Sequence, residues 1–167
     1  GIYIEEDYKR AFNSLSKGYI ALDTNCIESL AEMYLKGLHV KKDLYSAIEL
    51  YNKAIEFGDK SIYFKLGKLY EDEGLINQAI STYEEGHEEG NLKCTQRLGI
   101  MYYNGEGIER NLEKAIEYIE FAAARKEPHA MYVLAVAYLR LNKFGEKTTE
   151  IVKRLLKEAY RLSLIHI

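Results

Sequence analysis

Leu98-Gly99-Ile100-Met101-Tyr102-Tyr103-Asn104-Gly105-Glu106-Gly107-Ile108 is the stretch that decides the fold. It sets a Tyr four residues after a Leu, places a Gly beside that Leu, and ends in a Gly-Glu-Gly loop. The same Leu–small–Tyr spacing stands at Leu30-Ala31…Tyr34, Leu66-Gly67…Tyr70 and Leu134-Ala135…Tyr138, so the four copies follow one another at 36, 32 and 36 residues. A second column, Ala11, Ala47, Ala79, Ala115 and Ile151, advances by 36, 32, 36 and 36. Seven positions beyond each Ala comes another small residue, Gly18, Ala54, Gly86 or Ala122, and Glu158 breaks the series in the last unit. Both columns absorb the same four-residue deletion, which identifies an internal repeat.

Each repeat reads as two helices. Cys26, Leu30 and Tyr34 fall at i, i+4 and i+8 and share one helical face. Ala31, Gly67, Gly99 and Ala135 lie beside that face, where a missing side chain lets a partner helix come close. Ala47, Tyr51 and Ala54 form the matching stripe of the second helix, as do Ala79, Tyr83 and Gly86. Gly58 and Gly90 sit where a helix ends in the left-handed conformation. Asp23, Asp59 and Asn91 then form a column of N-caps, with Glu127-Pro128 in the last unit.

Composition narrows the class. The chain has 167 residues, a net charge of −3, 47% hydrophobic and 29% charged residues, a balance that suits one sizeable folded domain and excludes wholesale disorder. Mild acidity argues against nucleic acid, whose binders carry a basic stripe. No apolar run approaches the roughly 20 residues of a membrane span, so no membrane insertion is expected. One Pro in the whole chain favours helix throughout.

Within the first and third units the loops read Lys36-Gly37-Leu38-His39-Val40-Lys41-Lys42-Asp43 and Asn104-Gly105-Glu106-Gly107-Ile108-Glu109-Arg110-Asn111. Together with Leu98–Ile108 and Ala47…Leu50-Tyr51-Asn52-Lys53-Ala54…Gly58, these loops resemble the Sel-one-like repeat family, a longer-looped relative of the tetratricopeptide repeat. The resemblance covers about residues 8–161 and is strongest in the third unit. His39 replaces the second loop Gly in the first unit. The second unit, with Glu71-Asp72-Glu73-Gly74, resembles a plain tetratricopeptide unit, and the fourth unit has Arg140-Leu141-Asn142-Lys143-Phe144 where the loop glycines belong.

The resemblance implies an all-α fold: a right-handed α-α superhelix, a solenoid of stacked antiparallel helix pairs, with the first helices lining a concave face. Residues 1–24 are expected to be a trailing half-repeat, and 25–59, 60–91, 92–127 and 128–161 the four repeats. Leu162-Ser163-Leu164-Ile165-His166-Ile167 resembles the translation of a transposase adapter from sequencing libraries, and is expected to be non-native with no structural role. A chain that starts at Gly1 leaves export open, and the compartment reading leans to the cytoplasm.

Catalytic chemistry finds no foothold in the pattern. Cys26 and Cys94 share one column as small core residues, 68 positions apart, too far through a stack for a disulfide. No two of His39, His87 and His129 fall in one unit, so no metal site is expected, and Glu84–Glu89 reads as solvated surface. No nucleophile–base arrangement, phosphate loop or cofactor box is present, and no small-molecule substrate is evident. A penicillin-binding branch of the family carries cysteine pairs that clamp each unit, and such pairs are absent here.

The remaining candidate is an interaction surface for a protein or peptide. Tyr34, Tyr70, Tyr102, Tyr138, Tyr51 and Tyr83 are core by register. The inward positions of the first helices read Glu28, Glu32 and Leu35, then Phe64, Lys68 and Glu71, then Gln96, Ile100 and Tyr103, then Tyr132, Val136 and Leu139. Phe64, Lys68, Gln96, Ile100, Tyr103, Tyr132 and Val136 are the candidate partner-binding residues. Against this stands coverage of the same strip by a neighbouring helix or by sequence outside the chain. The family resemblance implies a non-catalytic scaffold or adaptor that binds a partner protein or peptide on its concave face; the alternatives are a regulatory or accessory segment of a larger enzyme or receptor, and a penicillin-binding-type enzyme, which the missing cysteine pairs disfavour.

Overall fold

The computed structural model describes the backbone of residues 2–21, 23–126, 128–141 and 146–165. Among these the elements are all helical: α1 (Ile2–Ile20), α2 (Thr24–Lys36), α3 (Leu44–Glu56), α4 (Ile62–Asp72), α5 (Ile76–Glu88), α6 (Leu92–Asn104), α7 (Leu112–Ala123), α8 (Pro128–Leu141) and α9 (Glu146–Ile165). They fall into two compact units, residues 1–66 and 67–167, each described by itself.

The caps explain where the helices begin. Asp23 accepts from the Asn25 amide, Asp43 from Tyr45 and Ser46, Asp59 from Ser61, Asn91 from Lys93 and Cys94, and Asn111 from Lys114. Each side chain satisfies backbone donors that the first turn leaves over. Glu127 and residues 142–145 of the fourth loop lie outside the described residues. Helix ends follow the expected glycine rule. Gly58 and Gly90 adopt φ of 92° and 82°, and the next amides reach back, Asp59 N to Ala54 O at 3.0 Å and Asn91 N to Gly86 O at 2.7 Å.

The long loops of the two units close alike. Asp43 N donates to Tyr34 O at 3.1 Å in the first unit, and Asn111 N to Tyr102 O at 2.9 Å in the second. Gly105 and Gly107 take left-handed φ of 76° and 71°, whereas the first unit uses Gly37 at 66° and His39 at 65°. His39 therefore holds a glycine conformation with a side chain, and its ring meets Phe12 edge-on at 5.8 Å. Between α4 and α5 the connection shrinks to residues 73–75, the tight turn expected of a tetratricopeptide unit.

In the first unit α1 packs on α2 and α2 on α3, burying Ile27, Leu30, Ala31, Ala47, Tyr51 and Ala54. In the second, α5 packs on α6, α6 on α7, α7 on α8 and α8 on α9 around Leu98, Tyr102, Ala115, Ile119, Ala122 and Leu134. The small-residue column sits at the closest approaches. A Cβ on Gly67 would lie 2.3 Å from Tyr83 Cε1, and one on Gly99 2.8 Å from Ile119 Cγ1.

Three expectations need correction. Tyr51, Tyr83 and Tyr102 are core, but Tyr34, Tyr70 and Tyr138 are half-buried: cover in this column depends on neighbours, and Tyr102 has the Tyr118 ring stacked on it whereas the Tyr138 hydroxyl donates to the exposed Glu120. Cys94 is fully buried, whereas Cys26 is half-buried. Residues 162–165, expected to have no structural role, continue α9, and Leu162 packs partly buried against the second unit's core.

Leu98 is fully buried, and Leu98→Ala should cost about 2–5 kcal/mol in urea unfolding. Gly67→Ala ordinarily gains about 1 kcal/mol in helix propensity, but the buried Tyr83 ring cannot yield, and a net loss of about 1–3 kcal/mol is expected. A stabilised Gly67→Ala protein would contradict the packing described here.

Candidate functional site

The inward positions of the first unit are acidic but locally neutralised. Glu28 of α2 pairs with Lys65 of α4, and Glu32 with Lys36 at 2.7 Å. The Tyr51 phenol beneath them is pushed up to about 12 by burial, with the Glu32 and Glu28 charges adding to it. Phe64, placed in this unit, is half-buried.

In the second unit Lys68 is exposed and engaged along its own helix, 2.8 Å from Asp72 and 3.6 Å from Glu71. The Glu71 side chain is only 7% exposed. Its Oε1 accepts from Arg97 Nε of α6 at 2.7 Å, and Arg97 also pairs with Glu106 of the following loop at 2.8 Å. Asn104 Nδ2 donates to the same Glu106 carboxylate at 2.7 Å. Sequence reasoning passed over Arg97 because it lies one residue before the core Leu98, off the inward column. The signal was the carboxylate Glu71 at an inward position of the preceding first helix, facing this guanidinium. Glu71, Arg97 and Glu106 tie α4, α6 and the α6–α7 loop together with charge-assisted bonds, which are stronger than neutral ones.

Gln96 and Ile100 of α6 are half-buried. They line a crevice of about 10 Å³ with Ile119 and Ala122 of α7 and His129, Ala130 and Val133 of α8, space for one water at most. Tyr103 is half-buried, with the Arg140 guanidinium carbon 5.0 Å from its ring centroid and Arg110 Nε donating to its carbonyl at 3.1 Å. Tyr132 and Leu139 of α8 are each 56% exposed, and half-buried Val136 lies between them. The structure thus brings Gln96, Ile100 and Tyr103 against α8, joins Lys68 to Asp72 and Glu71, and leaves Tyr132, Val136 and Leu139 as the outward strip of the second unit.

His87 is a packed titratable group away from these positions. His87 Nδ1 lies 2.9 Å from Thr95 Oγ1, and its ring meets Tyr118 and Phe121 edge-on. Among the described residues no group of three or more His, Cys, Asp or Glu is placed to hold a metal ion. No described helix is long and apolar enough to cross a membrane. Both cysteines are free thiols; burial pushes Cys94 up to about 12, and burial with the Asp23 charge and hydrogen bond raises Cys26.

Capped helix pairs closed by left-handed residues and seated on small side chains define a tetratricopeptide-like helical repeat protein. Models of the Sel1 repeat match residues 26–59 and 93–126, and a tetratricopeptide repeat model matches 61–86. A Sel1 repeat protein from Oxalobacter formigenes aligns with 90% of this chain and 63% of its own at 25% identity and a TM-score of 0.70. The protective antigen c5321 of uropathogenic Escherichia coli, which displays an SLR fold, aligns with 95% of this chain and 37% of its own at 24% identity and a TM-score of 0.69. Two stretches of the chain thus match the Sel1 repeat and one matches the tetratricopeptide repeat, and the fold is that of an all-α solenoid of the Sel1 repeat kind. Such repeats typically act as protein-interaction scaffolds and are generally non-catalytic.

Chitin synthase regulatory factors 4 and 3 of Schizosaccharomyces pombe are 30% identical over 66 residues and 27% identical over 120 residues. The chain spans 10% and 13% of their lengths.

Removing Arg97 leaves the buried Glu71 carboxylate with Lys68, 3.6 Å away, as its remaining ion-pair partner. Arg97→Met should cost about 3 kcal/mol, and adding Glu71→Gln should recover much of the loss in a double-mutant cycle read by urea unfolding. The thiols give a pH-dependent readout. A raised pKa means less thiolate at pH 8 than free Cys, whose pKa is about 8.5. Ellman's reagent should therefore label Cys26 slowly and Cys94 only on unfolding; fast native labelling of Cys94 would contradict its burial.

Proposed function

We propose that the chain is a non-catalytic scaffold that captures a partner protein or peptide, and that in the second unit the contact is made by Tyr132, Val136 and Leu139 of α8. The observation carrying this reading is the 56% exposure of Tyr132 and Leu139 on a helix whose Ala130, Met131, Leu134, Ala135 and Ala137 are buried. Large apolar side chains held outward on a rigid helix lose little entropy on binding and act as anchors. Gln96 and Ile100 of α6 line a crevice with His129, Ala130 and Val133 of the same α8, and Arg140 of α8 lies over the Tyr103 ring of α6, which holds the two helices together. Lys68 and Phe64 are secondary contacts in this reading, one on each unit.

The fungal regulatory factors favour a second reading at the level of the whole protein, namely that these repeats serve as a module of a larger regulatory protein. A module and a scaffold share one physical task, which is to hold a polypeptide.

Tyr132→Glu with Leu139→Glu should abolish capture of partners from a homogenate of the source cells and leave far-UV circular dichroism unchanged. Tyr103→Glu should also lower the melting temperature, because it places a charge against the second unit's core. Undiminished capture by the α8 double variant would remove this strip from the binding surface.

A further inference from the structure

In the first unit α1, α2 and α3 surround a cleft of about 550 Å³. Leu30 and Tyr34 of α2 form its floor, Phe12 and Tyr19 of α1 one wall, and Leu50 and Lys53 of α3 the other. The repeat supplies an internal comparison, since the second unit holds the same three helices 68 residues later in α5, α6 and α7. Tyr34 corresponds there to Tyr102, Tyr19 to His87, Leu50 to Tyr118 and Lys53 to Phe121.

In the second unit the equivalent place is filled with rings. Tyr118 stacks on Tyr102 with centroids 5.7 Å apart and planes 10° from parallel. His87 meets Tyr118 and Phe121 edge-on at 5.0 and 4.8 Å. Leu50 and Lys53 bring no such rings to the first unit. Lys53 instead turns to Glu56, with Nζ 2.6 Å from Oε2. Phe12 meets Tyr34 at its edge, 6.1 Å away and 75° from parallel, and Tyr34 still lines the cleft.

We propose that this cleft binds a helical segment of a partner polypeptide carrying two aromatic residues three positions apart. One ring stacks on Tyr34 as Tyr118 stacks on Tyr102, and the other packs edge-on against Tyr19 as Phe121 packs against His87. Residues three apart share a helical face, which is how α7 delivers its own pair. Each aromatic side chain buries about 150–250 Å²; with Lys53 paired to Glu56, Glu49 is the remaining charge on the cleft lining and favours a neutral or basic segment over an acidic one. The site lies in the first unit and does not depend on the α8 strip.

The test is an amide chemical-shift titration of the intact chain with three probes: a short capped Ala/Lys helical peptide bearing Tyr and Phe three apart, the same peptide with Leu at both places, and p-cresol. The Tyr/Phe peptide should shift the Phe12, Tyr34 and Leu50 amides without moving those of α8, and bind about tenfold more tightly than the Leu peptide. Leu50→Tyr with Lys53→Phe transplants the second unit's filling; it should remove binding and raise Tm. Should that variant fold poorly, Tyr34→Leu removes the stacking surface and should weaken the Tyr/Phe peptide about tenfold. Equal binding of the two peptides, shifts confined elsewhere, or unimpaired binding by the filled variant or by Tyr34→Leu would each overturn the proposal. Response to p-cresol with no response to either peptide would overturn it too, by making the cleft a small-molecule site.

Discussion

Close approach of neighbouring helices at positions without side chains is the constraint on which the rest of the structure depends. Gly67 against Tyr83 and Gly99 against Ile119 leave no space for a Cβ. Two helices brought this near can bury a whole stripe of larger residues, so Leu98, Tyr83 and Ile119 are dry because their neighbours are small. A helix pair of this length is marginal by itself, and packing on the next pair supplies what propensity does not. The caps and left-handed closures set the length of each helix; the glycine column sets how deeply it seats.

The repeat period, the caps and the loop glycines were legible in the sequence because each is a local rule with one geometric solution. Asp43 or Asn111 at the end of a Gly-initiated loop has to cap the next helix, and both do. The Leu and Ala columns mark the seam for the same reason. The Tyr column was less legible. A tyrosine four residues after the Leu shares its face, but its cover comes from neighbours: Tyr118 stacks on buried Tyr102, while Tyr34, Tyr70 and Tyr138 stay half-buried.

The interaction surface was harder still to read, because exposure belongs to neighbours and not to spacing. Gln96, Ile100 and Tyr103 occupy the same register as Tyr132, Val136 and Leu139, yet the first three lie against α8 while Tyr132 and Leu139 point outward. Arg97 was missed for a related reason: its role is fixed by Glu71, 26 residues earlier, and no helical periodicity connects the two. The aromatic filling between α5 and α7 depends on two substitutions relative to the first unit, and only coordinates show that they change a gap into a stack.

The open space between α1 and α3 also bears on how the first unit breathes. A side chain facing a void has few contacts to lose when its helix lifts away, so the free energy of local opening there is small. Where Tyr118 and Phe121 weld α7 to its surroundings, the corresponding opening must unstack rings first. Local stability therefore follows the distribution of aromatic side chains, lower around α1 than around α6 and α7.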